Sequence, residues 1–129
     1  MITATRMGEA YCVQLSNGRD LVLADTRKRG KGGGAGMRPH ELLESALAAC
    51  LCMSIDMAAE RAGVMLPAFT VGVSIDRQDS ETAFDVSLGF ATAPSAEQEA
   101  LAAEAARTSP VARTLGKPVR ISAARIAVD

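Results

Sequence analysis

The chain has 129 residues, 48% of them apolar and 3% aromatic, with no tryptophan and a formal net charge of −1. That length suits one compact domain, 1–129, and so small a charge excludes the global field that draws a protein to nucleic acid or to an anionic membrane. Three cysteines and no recognisable leader do not make a disulfide framework, so a reducing cytoplasm is expected.

The first elements read as an opening meander. A strand around Ile2–Met7 precedes "EAYCVQLSN", where Tyr11, Val13 and Leu15 share one alternation phase and Cys12, Gln14 and Ser16 the other, a half-buried strand that leaves Cys12 partly exposed. "NGRDLVLAD" adds a turn at Asn17-Gly18 and a third strand. "RKRGKGGGAGMRP" is so rich in glycine that no regular element is expected in it; such a loop is mobile or pinned by a partner. Pro39 fits a first helical position and Gly63 a stop, which predicts a helix of about 24 residues, roughly 36 Å long. Its middle is apolar nearly all round, so it is expected to be central and buried. Its longest unbroken apolar run, Ala46–Met53, is too short to span a bilayer.

"AFTVGVSIDR" places Phe69, Val71, Val73 and Ile75 on one face, and "AFDVSLGFA" does the same with Phe84, Val86, Leu88 and Phe90. These strands form an antiparallel hairpin across Gln78–Thr82. Ser95 and Gln98 make a capping box that opens an Ala-rich helix running to about Arg107. After Ser109-Pro110 comes a short turn of helix closed by Gly116, then a final strand, "VRISAARIAV". The order β-β-β-α-β-β-α-β is an α+β domain with helices packed on antiparallel sheet.

Candidate chemistry is sparse. "GKGGGAG" lacks the GxxxxGK[ST] pattern and the strand–helix setting of a dinucleotide fingerprint, so it reads as a flexible cationic loop whose Arg27, Lys28, Arg29 and Lys31 could attract an anion. A metal site needs three or four converging donors. One histidine, His40, and two helical cysteines pointing about 200° apart do not supply them, so neither a metal nor another cofactor is expected. The same geometry forbids a Cys50–Cys52 disulfide. On residue type alone both cysteines read as small core hydrophobes, with a reactive role left open.

The segment "MRPHELLESALAACLCMSIDMAAERAGV" resembles the signature helix of the OsmC/Ohr family, in which a Pro-led helix carries a carboxylate at its start and a peroxidatic cysteine after a run of small residues. "TATRMGEAYCV" is similar to the family's Arg-bearing first hairpin, and "RTSPVARTLGKPVRI" to its second-cysteine segment, usually written CPV…L. The resemblance implies a single OsmC-like domain: antiparallel sheets around a long central helix plus a second helix, in an intertwined homodimer. It implies Cys50 as the peroxidatic cysteine and Arg6 as the arginine that holds it as a thiolate. Two positions depart from the pattern. His40 stands where the organic-hydroperoxide branch has its carboxylate, with Glu41 one place later, and Ser109 stands where the resolving cysteine would precede Pro-Val.

The implied chemistry is attack of a Cys50 thiolate on a small hydroperoxide. Without a second cysteine, the sulfenic acid must be cleared by an external thiol or dithiol, or by an unusual pairing with Cys12. His40 and Cys50 lie ten residues apart, about 15 Å along one helix, so the start of a helix cannot touch its own Cys50; a partner chain can supply it, in agreement with the intertwined homodimer that the resemblance implies. A homodimer would also bury surface that so few aromatic residues cannot cover. The alternative is a binding protein that kept the pocket for a small apolar ligand and lost turnover.

Overall fold

The computed structural model describes residues 1–128. The chain carries β1 (Thr3–Arg6), β2 (Val13–Ser16), β3 (Leu21–Ala24), β4 (Arg27–Lys28), β5 (Lys31–Gly32), α1 (Pro39–Ala62), β6 (Phe69–Arg77), β7 (Thr82–Phe90), α2 (Ala96–Arg107) and α3 (Pro110–Leu115), an α+β arrangement. It divides into two units, Met1–Ala46 with Gly72–Ser87, and Leu47–Val71 with Leu88 onward.

In the first unit β1, β2 and β3 form an antiparallel meander, with Arg6 opposite Val13 and Val13 opposite Ala24. Asn17 shapes the β2–β3 turn: its Oδ1 accepts from the N–H groups of Arg19 (2.9 Å) and Asp20 (2.7 Å), and Gly18 takes the positive φ that this turn needs. Upstream, Tyr11 has φ +67°, and the turn closes through Met7 N–H to the Cys12 carbonyl (3.0 Å). That left-handed residue breaks the alternation before the strand begins at Val13. Cys12 is therefore buried, 8% exposed, and not partly exposed as its phase implied.

The glycine-rich stretch is ordered, contrary to expectation. β4 and β5 pair across Arg29 and Gly30, both with positive φ, the twist that a two-residue hairpin turn requires. The buried Asp25 carboxylate ties down the neighbouring backbone, accepting from the N–H groups of Thr26 (2.8 Å), Gly33 (3.3 Å) and Ala35 (3.1 Å). Glycine is needed where the backbone runs against itself: a Cβ on Gly32 would overlap the Thr26 carbonyl, and one on Gly36 the Leu23 carbonyl. The Ala35 N–H, foremost among these donors, holds the Asp25 carboxyl below the usual carboxylate range. A carboxyl group whose folded value is lowered stabilises the fold above its unfolded value of about 4, and that contribution is lost as pH falls through the folded value. Asp25→Ala is expected to release this loop at neutral pH, seen as faster hydrogen exchange at Gly33 and Ala35 while the β1–β3 amides keep their protection.

In the second unit α1 contributes one buried stripe, Leu47, Leu51, Ile55 and Ala59, at four-residue spacing. Ile55, fully buried, centres a cluster with Ala102 and Ala105 of α2, flanked by Leu66, Phe69, Val71, Leu88 and Phe90. The Phe69 and Phe90 rings lie 6.1 Å apart between centroids. Ile55→Ala should cost about 2–5 kcal/mol through lost transfer energy and an unfilled cavity, measured by denaturant unfolding. The capping box of α2 forms as read, with Ser95 Oγ accepting from Gln98 N and Gln98 Oε1 from Ser95 N.

Two expectations need correction. α1 is not buried all round within one chain: Met53 is 62% exposed and Met57 50%, off the buried stripe of Leu47, Leu51, Ile55 and Ala59. Taken whole, α1 is also long and apolar enough to cross a membrane by length and composition, unlike its short apolar run. The final strand does not form either. Residues 118–128 pair with nothing among the described residues, and Ile121 and Ile126 are at least 90% exposed. A strand exists only through a neighbour's hydrogen bonds, and no edge among the described residues provides them.

Candidate functional site

Cys50 lies half-buried on α1, in the second unit. Its Sγ accepts from the backbone N–H of Val111 at 3.4 Å, and Ser54 Oγ, one turn further along the same face, lies 4.0 Å away. The Val111 contact arises from how α3 begins. Ser109, 1% exposed, is its N-cap and accepts from Ala112 N at 3.3 Å, while Pro110 takes the first helical position. A first-turn amide has no acceptor within its own helix. The Val111 N–H is therefore free to point at the sulfur, and a donor so placed favours negative charge on it. Cys52, two residues on, faces a different side of α1.

Ser54 also lines a cavity of about 370 Å³, walled by Met57, Ala58, Arg61, Glu104, Thr108 and Pro110. That size and mixed lining suit a small organic molecule. The cavity and the thiol share Ser54 as a common wall.

The other sequence candidates lie in the first unit. Arg6 is exposed on β1, with no carboxylate partner among the described residues. His40 and Glu41 sit in the first turn of α1, beside a cavity of about 490 Å³ that Arg27, Lys28 and Arg77 also line. Glu41 is engaged locally: its Oε1 accepts from Arg38 N at 3.0 Å and from Arg38 Nε at 3.2 Å, closing the helix start. These bonds, the backbone one first, hold its carboxyl below the usual carboxylate range. Cys50 and Ser109 are thus brought into one neighbourhood through α3, whereas Arg6, His40 and Glu41 belong to the other unit. No group of three or more metal-binding side chains is present among the described residues.

Three residues were missed by sequence reasoning. Val111 was findable, since a Ser-Pro cap marks the next amide as unpaired. Ser54 was findable as the i+4 neighbour of Cys50. Glu44, whose Oε2 accepts from Ile75 N at 2.9 Å and so fixes the first turns of α1 to β6, carried no local signal.

Comparison with known proteins bears on this geometry. A family model described as OsmC-like protein matches residues 30–124. No curated protein sequence matches the chain. Among solved structures, a Psychrobacter arcticus protein provisionally described as osmotic stress induced and of the detoxification response aligns with TM-score 0.71 at 18% identity, over 88% of this chain and 85% of that one. An OsmC-like protein from Mycoplasma pneumoniae gives 0.68 at 17% over 90% and 86%. The organic hydroperoxide resistance protein OhrB of Bacillus subtilis gives 0.61 at 16% over 88% and 87%. At these identities the structures speak for a shared fold.

Proposed function

This chain belongs to the OsmC-like protein family, and on that premise we propose that it reduces hydroperoxides with a single peroxidatic cysteine, Cys50. The observation that carries the reading is the setting of that thiol: half-buried, in contact with the free Val111 N–H, and sharing Ser54 with an organic-sized cavity. Structures similar in fold include organic hydroperoxide resistance proteins.

In the proposed reaction the Cys50 thiolate attacks one oxygen of the O–O bond, the other leaves and takes a proton as the alcohol, and the sulfur is left as a sulfenic acid. The Val111 N–H and the Ser54 hydroxyl are placed to orient the sulfur. An external thiol then attacks the sulfenic sulfur, releasing water and forming a mixed disulfide; a second thiol frees Cys50. An outside reductant is required because Ser109 occupies the position of the second cysteine.

The functional form is proposed to be a cytoplasmic homodimer. The exposed Met53 and Met57 on α1 and the unpaired apolar segment 118–128 are surfaces that a second copy would cover. In that assembly Arg6, His40 and Glu41 of one copy would serve Cys50 of the other. Ser109 and the cavity also support a second reading, a protein that holds a small apolar ligand without turnover.

Stopped-flow oxidation by cumene hydroperoxide and by hydrogen peroxide, with mass spectrometry of the product, separates the two. Oxidation of Cys50 that is faster with the organic peroxide is expected; a Cys50 thiol that survives excess peroxide leaves the binding reading. Arg6→Ala should slow that oxidation on the order of tenfold or more, since a guanidinium stabilises the charge passing through the peroxide. An unchanged rate would remove Arg6 from the site.

A further inference from the structure

The nitrogen held against the reactive sulfur can do more than donate a hydrogen bond. Val111 N lies 3.4 Å from Cys50 Sγ, within the range from which two reacting atoms approach each other. The fold has already met the cost of bringing residues 61 apart in sequence together. The amide is also unusual in what its modification would disturb. Its only hydrogen bond is the one to sulfur, and as a first-turn amide it has no bond in the helical ladder to lose. The neighbouring hydroxyl does not compete, because Ser109 Oγ is turned toward Ala112 N as the cap of α3. With serine at position 109, no thiol stands at the start of α3, and the Val111 amide is nearer the sulfur, at 3.4 Å, than the Ser54 hydroxyl, at 4.0 Å.

We infer that oxidised Cys50 is resolved within the chain by the backbone of Val111, forming a cyclic sulfenamide between Cys50 Sγ and Val111 N. The inference rests on the peroxidase reading, since a hydroperoxide must first convert the thiol to the sulfenic acid. In the new step the amide nitrogen attacks the sulfenic sulfur, an S–N bond forms, the S–O bond breaks, and the hydroxide leaves with the amide proton as water. No further oxidant is consumed. Recovery uses two thiols: the first attacks sulfur, breaks the S–N bond and returns the proton to the amide, leaving a mixed disulfide, and the second releases Cys50 as a thiol. The sulfenamide carries no S–OH group, so it protects the cysteine from a second peroxide that would otherwise drive it to sulfinic acid.

The test uses the full-length chain with Cys12→Ser and Cys52→Ser, so that Cys50 is the one remaining thiol. One equivalent of cumene hydroperoxide is added without reductant. The expected product is a monomeric chain about 2 Da lighter than the reduced protein, from the two hydrogens lost at sulfur and nitrogen. It should not react with dimedone, should yield a cross-linked peptide joining Cys50 to Val111 on digestion, and should return to the starting mass with dithiothreitol. Val111→Pro removes the nucleophilic N–H at a first-turn position that has no bond in the helical ladder to lose. In that background the same treatment should give a dimedone-reactive sulfenic acid that moves to sulfinic acid with added peroxide. If the Val111-containing protein gives a full dimedone adduct and no lighter species, the sulfenamide is wrong while the peroxidase reading stands. If Cys50 takes no oxygen at all, both fall. A cross-link that maps to a nitrogen other than that of Val111 also overturns the assignment.

Discussion

Cys50→Ser is expected to abolish the proposed hydroperoxide consumption, leaving the uncatalysed background, whereas Cys12→Ser and Cys52→Ser should retain it. This is the largest effect expected of any single substitution, because the step that breaks the O–O bond has no other nucleophile: a serine hydroxyl does not reduce a peroxide. Sγ and Oγ differ little in volume, and Cys50 is only half-buried, so the variant should fold with near-parent stability. Peroxide loss in a coupled dithiol assay, with unfolding as the control, reads the effect. Cys12 is buried beside the glycine-rich loop, and Cys52 lies off the face that carries Ser54 and the Val111 contact.

Ser109→Cys is expected to change the chemistry and not merely the rate. The position is buried at the head of α3, two residues before the amide that touches Cys50 Sγ, so a thiol there lies within the neighbourhood of the oxidised sulfur. Exchanging the capping hydroxyl for a poor cap should cost on the order of 1 kcal/mol. Against that, a thiolate is a far better nucleophile toward a sulfenic acid than an amide nitrogen. A disulfide between Cys50 and the introduced thiol should therefore form at the expense of the Val111 product. Peptide mapping would detect the disulfide, and turnover should then depend on a dithiol reductant. Absence of both in a folded Ser109→Cys protein would mean that α3 does not present this position to the sulfur.

How much of this was visible in the chain depended on the range of the interactions involved. α1 was legible to the residue, because Pro39 and Gly63 act on the backbone where they stand, Gly63 with φ +66°. The α2 capping box and the Ser109 cap are likewise contacts over three residues. The glycine-rich loop was misread because its order comes from Asp25, whose carboxylate bonds to amides eight and ten residues away. Cys12 was misplaced by one left-handed residue, Tyr11, that alternation counting does not register. At the candidate site, Cys50 and Ser109 were singled out by the pattern of the helix and the Pro-Val segment. Their link runs through Val111 and spans 61 positions, which no local rule reaches.

The most direct measurement is the site-resolved redox state of the three cysteines after one equivalent of cumene hydroperoxide, read by differential isotopic alkylation and peptide mass spectrometry. The account predicts that the Cys50 thiol disappears first while Cys12 and Cys52 remain alkylatable. Loss of Cys12 or Cys52 ahead of Cys50, or three intact thiols, would contradict it.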